Sequence, residues 1–158
     1  MFVKGRTHKI RVFHTAQPTQ DPLDAVVTTV VQICAKQPPG DVLVFLSGED
    51  AVEATRASLN GYAAELKAMG KSVCRAQCGP ADMQILVVGM YARLPQSEQA
   101  KVFAPVAAGA TRKIILATNI AETSITIPGV KYVVDTGLMK EKRFYASLSA
   151  SISAGGTD

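Results

Sequence analysis

The sequence has little of what membrane, secreted or metal-binding proteins depend on. No apolar run approaches the roughly 20 residues needed to cross a bilayer. No apolar segment follows the basic residues near Met1, so a signal peptide is not indicated and we expect an intracellular protein, nuclear or cytoplasmic. The 3 cysteines are an odd number and the 2 histidines lie far from Cys74 and Cys78 along the chain. Free thiols are therefore expected, and a metal site is not.

The composition is that of a folded domain. Hydrophobic residues make up 47% and charged residues 19% of the 158 positions, which excludes a disordered chain and allows one domain with a real core. The net charge of +4 permits binding to a polyanion, but many ordinary domains are equally basic. Charge alone therefore favours no partner.

Apolar strands alternate with amphipathic helices along most of the chain. The pair Asp21-Pro22 is a helix start, because Asp caps the first turn and Pro suits the first helical position. We expect helices at residues 22–36, from about 50 to 69, and at 95–103. We expect strands at residues 9–13, 41–46, 84–90, 113–118, 130–135 and 138–145, with a surface loop at 71–82. This alternation predicts an α/β fold with a largely parallel β-sheet and helices on both faces.

Small polar residues follow two of the expected strands. Ser47 and Gly48 stand where a strand ends and a helix begins, and the free N–H groups of a helix start suit a phosphate oxygen. Thr118 and Asn119 end another strand, and hydroxyl and amide groups at such an edge also suit phosphate. Two plainer interpretations stay open here: Ser47 as an N-cap only, and residues 118–119 as a polar turn that satisfies its own backbone.

Three blocks of sequence resemble the DEAH-box RNA helicases. Residues 117–137, which contain Thr118-Asn-Ile-Ala-Glu-Thr-Ser124, are similar to motif V of that family. Residues 40–50 resemble motif IV, and residues 91–103 resemble the block Tyr-x-x-Leu-Pro-x-x-x-Gln-x-x-x-Phe. The resemblance implies that residues 1–146 form the second RecA-like domain. The Ser/Ala/Gly-rich tail at 147–158 has little to bury and is expected to be disordered.

The resemblance also implies a role for individual residues. It assigns the RNA backbone to Ser47, Gly48, Thr118 and Asn119. It assigns the nucleotide to Phe103, Ser124 and Thr126, with Glu122 bracing the loop behind them. Phe103 would stack on the adenine, although periodicity alone favours a core aromatic on an amphipathic helix.

Several motifs of the family are absent from the sequence. It contains no Gly-x-x-x-x-Gly-Lys-Ser/Thr phosphate loop, no Asp-Glu-Ala-His box and no Gln-Arg-x-Gly-Arg-Ala-Gly-Arg motif. The resemblance thus implies the second motor half of an NTP-dependent RNA helicase, without catalytic residues of its own and without ATP hydrolysis by the isolated chain.

The same resemblance implies cofactors and partners. ATP or another NTP would bind with Mg²⁺ only together with a first RecA-like domain. The partners would be that domain, single-stranded RNA and an activating protein, with no membrane. Two rival hypotheses are a helicase-derived RNA- or protein-binding module without turnover and an unrelated α/β nucleotide-binding domain.

Overall fold

A computed structural model describes residues 9–17, 19–68, 84–106, 111–118 and 126–138. Helices and strands alternate within these ranges. The helices are α1 (Pro22–Lys36), α2 (Glu49–Ala68) and α3 (Gln96–Phe103). The strands are β1 (Asp41–Phe45), β2 (Gln84–Met90), β3 (Thr111–Ala117) and β4 (Val130–Asp135).

The four strands form one parallel sheet in the order β2-β3-β1-β4. Strand β1 lies between β3 and β4, and its Phe45 pairs in register with Ala117 on one side and Asp135 on the other. Because all the strands run in the same direction, their carboxyl ends meet at one edge of the sheet. Ligands of open α/β sheets bind at that edge.

Each face of the sheet carries its own apolar cluster. Val42 and Val44 of β1 pack with α1 and α2, whereas their neighbours Leu43 and Phe45 pack on the opposite face with Val102 of α3. Side chains alternate between the faces of a strand, so each apolar strand serves both layers. The helices therefore flank the sheet on both faces, and the predicted α/β architecture is confirmed.

Backbone N–H and carbonyl groups at both ends of α1 have hydrogen-bond partners. The Asp21 carboxylate accepts from the backbone N–H groups of Leu23 and Asp24, at 2.9 and 3.1 Å, and Pro22 occupies the first turn. At the other end, the buried Arg112 guanidinium of β3 donates to the carbonyls of Ile33 and Gln37, at 2.8 and 3.0 Å. The Ile33 carbonyl, which also accepts the backbone N–H of Gln37 at 3.0 Å, and the carbonyl of Gln37 just beyond the helix are thereby tied to the sheet.

Most of the expected elements lie where the sequence placed them, and one expectation was wrong. Helix α1 and strands β2 and β4 have the predicted bounds, whereas β3 begins at Thr111 and β1 ends at Phe45. Residues 9–13 are not a strand. Ile10 and Phe13 are 83% and 81% exposed there, because no described strand pairs with this segment and alternation alone cannot hold an extended chain.

Three expectations fall largely beyond the structural description. The surface loop at 71–82 and the tail at 147–158 lie wholly outside the described residues, as does nearly all of the expected strand at 138–145. Its first residue, Leu138, is described and belongs to no strand. Within the described ranges, no helix is both long and apolar enough to cross a membrane.

Candidate nucleic-acid and nucleotide surface

Ser47 and Thr118 lie at the same edge of the sheet, after neighbouring strands. The backbone N–H of Leu46 donates to the carbonyl of Ala117 at 2.9 Å, which extends the β1–β3 ladder to its last residues. Ser47 and Thr118 each follow directly, and both are partly exposed. Neighbouring strands are spaced by about 4.8 Å, so the two residues lie at the carboxyl edge close to each other along the backbone, with Ser47 one residue beyond the level of Thr118.

Gly48 forms the start of α2. Its carbonyl accepts the first bond of the helix, from the N–H of Val52 at 3.1 Å, so Gly48 and not Ser47 occupies the N-cap position. The amides of the first turn have no intrahelical acceptor and are available to an anion. Glu49 and Asp50 sit in that same turn, and their carboxylates oppose the attraction of the helix terminus for phosphate.

The backbone N–H of Thr118 is already hydrogen-bonded within the sheet. Its N–H donates to the carbonyl of Met90 at 3.2 Å, which continues the β2–β3 ladder by one residue. A group at this position can therefore reach a ligand with its hydroxyl and not with its amide nitrogen. The Thr118 amide is thus paired within the sheet, and a turn at residues 118–119 is not required to satisfy it.

Phe103 and Thr126 flank the cluster on the α3 face. Their neighbours Val102 and Ile127 are both buried in that cluster, at 0% and 9% exposure. Phe103 itself is 44% exposed, and Thr126 is exposed as well. The ring is therefore not a core aromatic. It is open enough to stack on a planar ligand, and it lies on the same face of the sheet as the segment that carries Thr126.

Three of the candidate residues cannot be placed. Asn119, Glu122 and Ser124 lie outside the described residues. For Ser47, Gly48, Thr118, Phe103 and Thr126 the structure gives positions, and Ser47 and Thr118 follow the ends of neighbouring strands. Their roles toward RNA and nucleotide stay predictions.

Tyr91 belongs to the same carboxyl edge and was not singled out by the sequence. It follows β2, and its hydroxyl donates to Glu53 Oε1 of α2 at 3.0 Å. Partial burial raises the pKa of Tyr91 above its usual 10.0, and the hydrogen bond and negative charge of Glu53 raise it further. Glu49 adds to the shift, while Arg56 opposes it. The phenol is thus held in its neutral, donating form.

The burial of two cationic side chains on β3 was also not predicted from the sequence. Arg112 and Lys113 are 1% and 3% exposed, although the sequence shows them only as a charged pair before an apolar run. Two adjacent charges at the start of a buried parallel strand must find partners inside the protein. That signal was available in the sequence, but it does not say which carbonyls the cations bind.

Among the described residues, no group of three His, Cys, Asp or Glu side chains lies close enough to hold a metal ion.

Comparison with known families decides the relationship. A family model described as the helicase conserved C-terminal domain matches residues 25–149. The chain belongs to this family. Within this helicase C-terminal domain, the matched range includes Ser47, Thr118 and Phe103.

Relatives of this helicase C-terminal domain include DEAH-box RNA helicases. The chain is 42% identical over 145 residues to the mouse (Mus musculus) protein named ATP-dependent RNA helicase DHX33. It is 40% identical over 143 residues to an Arabidopsis thaliana protein, pre-mRNA-splicing factor ATP-dependent RNA helicase DEAH10. These matches cover 91% and 90% of the chain but only 19% and 18% of the relatives, so the chain spans about a fifth of their length.

A solved structure confirms the fold. The crystal structure of the Escherichia coli DEAH/RHA helicase HrpB matches with a TM-score of 0.60 and 30% sequence identity, over 80% of this chain and 14% of that one. The resemblance to the DEAH-box helicases and the RecA-like fold are thereby confirmed. The hypothesis of an unrelated α/β nucleotide-binding domain is wrong.

Proposed function

We propose that this helicase C-terminal domain is the second motor half of an ATP-dependent RNA helicase. It grips the backbone of single-stranded RNA along the carboxyl edge of the sheet and forms part of a nucleotide cleft on its α3 side. The observation that supports the proposal is that Ser47 and Thr118 follow the carboxyl ends of the paired strands β1 and β3, at one edge of the sheet.

The RNA grip rests on neutral donors. Ser47, Thr118 and the first amides of α2 can each donate to a phosphate oxygen, and contacts to phosphate hold a strand without reading its sequence. Glu49 and Asp50 lie next to these donors and weaken the attraction. Asn119 completes the proposed RNA site. We therefore expect weak binding that does not depend on base sequence.

The nucleotide contribution rests on Phe103, with Ser124 and Thr126 as further contacts and Glu122 as the residue that braces their loop. The half-exposed ring of Phe103 can stack on any purine, because stacking uses the face of the base and not its edge. When bound, ATP with Mg²⁺ supplies the free energy that drives movement. The residues of this chain bind and orient the nucleotide, and a first RecA-like domain must provide its phosphate contacts.

The isolated chain should not turn over ATP. The phosphate-loop lysine that contacts the β- and γ-phosphates in such motors and the acidic box that binds Mg²⁺ do not occur in its sequence, and charge stabilisation by these groups supplies most of the catalysis. RNA-stimulated hydrolysis by the pure chain would overturn its assignment as half of a motor. A module that binds RNA or protein without turnover remains the alternative function, and ATPase stimulation after mixing with a first RecA-like domain separates the two.

Binding to two unrelated single-stranded RNA oligonucleotides tests the grip. We expect fluorescence anisotropy to give similar affinities for both, and a fall in affinity between about 50 and about 200 mM salt. A preference for one sequence, or an affinity unaffected by salt, would contradict the proposal.

A further inference from the structure

A buried lysine holds the end of the helix that carries Phe103. Lys113 of β3 is 3% exposed, and its Nζ atom donates to the carbonyls of Val102 and Ala104, each at 2.7 Å. These two carbonyls belong to the residues directly before and after Phe103. The backbone on both sides of the ring is therefore tied to the sheet through one ammonium group.

Helix α3 needs such an anchor. It has 8 residues, fewer than the 12 or so that make a helix even marginally stable by itself. The Pro95 that precedes it makes no side-chain capping bond. Its last carbonyls have no partner within the helix, and a cation at this end is favoured by the helix dipole.

Lys113 is itself firmly placed. It lies within β3, in register with Leu86 of β2, and its backbone N–H donates to Asp41 Oδ1 at 2.9 Å. Val102 is fully buried against the same face of the sheet. The direction in which the Phe103 side chain points away from the sheet is thus set by packing at Val102 and by the two hydrogen bonds from Lys113.

We infer that Lys113 is a positioning residue for the nucleobase. It fixes the end of α3 so that the exposed ring of Phe103 is held in one place, with one face open to a purine. The inference rests on the proposed nucleotide role of Phe103. Without the ammonium, the carbonyls of Val102 and Ala104 lose their partner, the last turn of α3 frays, and the ring samples many orientations.

The position of the ring can be measured without any nucleotide. The chain contains no tryptophan, so Phe103→Trp introduces a single fluorescent reporter at this site. In that background we expect Lys113→Met to lower the anisotropy of the indole and to increase its quenching by acrylamide. Lys113→Arg, which keeps donors and charge, should restore most of both signals.

Lys101→Met is the matched control. Lys101 lies on the same helix but is exposed, and its Nζ atom donates to Glu98 Oε1 at 2.6 Å. We expect it to leave the indole signals unchanged. If Lys113→Met does not fold, Lys113→Gln keeps one donor in the same place and should give an intermediate signal. Indole signals that are identical with Lys, Met, Gln and Arg at position 113 would overturn the inference.

Photolabelling with 8-azido-ATP and Mg²⁺ at millimolar concentration, with the chain mixed with a first RecA-like domain, separates the inference from the proposed nucleotide role. Labelling of this chain in the mixture should be lost in Phe103→Ala. It should fall about two- to fivefold in Lys113→Met, the size expected from a helix-terminal cation, and recover in Lys113→Arg. Labelling that needs Phe103 but is unchanged in Lys113→Met overturns the inference alone. Labelling that is unchanged in Phe103→Ala overturns the nucleotide role and the inference with it.

Discussion

Leu46 and Ala117 are joined by a backbone hydrogen bond of 2.9 Å at the very end of the β1–β3 ladder. Because this bond joins the ends of two parallel strands, Ser47 and Thr118, which follow its two residues, both lie at the carboxyl edge of the sheet. The proposed RNA site therefore depends on the pairing of β1 with β3.

Asp50→Asn should strengthen RNA binding. Asp50 is exposed in the first turn of α2, where its carboxylate repels a phosphate at the helix start. We expect the affinity for single-stranded RNA to rise about two- to fivefold at low salt and the gain to shrink as salt increases. Anisotropy titrations measure both effects.

Asp24→Asn is the control for that variant. Asp24 is exposed in the first turn of α1, so it removes the same charge from an equivalent position in another helix. It should leave RNA affinity nearly unchanged. Equal gains from both substitutions would show that net charge, and not the start of α2, governs binding.

Two glycine-to-alanine substitutions should have opposite effects on stability. Gly129 has a φ of 87°, and a Cβ atom there would lie 2.8 Å from Asp41 Oδ2. Gly129→Ala should cost about 1–3 kcal/mol in the free energy of unfolding. Gly61→Ala, inside α2 with nothing within 4 Å of a new Cβ, should gain about 0.5–1 kcal/mol. Urea denaturation followed by circular dichroism tests the pair, and a destabilised Gly61→Ala would contradict the geometry.

The elements of the sheet were predictable because each has a strong local signal. Asp21-Pro22 fixes the start of α1, and the uninterrupted apolar run of β2 marks a strand that is covered on both faces. Residues 9–13 alternate between polar and apolar residues, but no described strand pairs with them. The strand predicted there from the local pattern was therefore wrong. Pairing is a property of the tertiary structure, so one segment alone cannot supply it.

The site was only partly predictable. Ser47 and Thr118 were identified because small polar residues follow apolar strands, and parallel strands end at one edge. Arg112 binds the carbonyl of Ile33, which is 79 positions away in sequence. No periodicity or motif encodes a contact between groups so far apart along the chain.

Arg112→Met should destabilise the domain strongly. The buried guanidinium donates to the carbonyls of Ile33, Gln37 and Pro38, and it lies 5.6 Å from the centre of the Tyr132 ring. Loss of several hydrogen bonds from a buried charged group should cost about 3 kcal/mol or more. Arg93→Met removes an exposed arginine after β2 and should change stability by less than about 0.5 kcal/mol. Equal unfolding midpoints for the two variants would contradict the role of Arg112.

The Tyr91–Glu53 bond predicts a pH dependence above neutrality. Because the folded state raises the pKa of Tyr91, the phenol's contribution to stability is fully present below pH 10.0, its usual value, and is lost as the pH rises through the folded value. The stability advantage over Tyr91→Phe should be constant from pH 6 to about pH 9 and should shrink above about pH 10. Since Tyr91 is partly exposed, the effect should be small. An advantage that grows at alkaline pH would contradict the assignment.

The most direct test of the RNA grip is the affinity of the double variant Ser47→Ala/Thr118→Ala for single-stranded RNA at low salt. Its control is Ser58→Ala/Thr28→Ala, which removes the same two hydroxyls from exposed positions on α2 and α1. With two hydrogen bonds to phosphate lost, we expect the Kd of the first variant to rise about tenfold while the control stays at the wild-type value. Equal affinities of the two double variants, with the first one folded, would contradict the proposal that the carboxyl edge of β1 and β3 grips RNA.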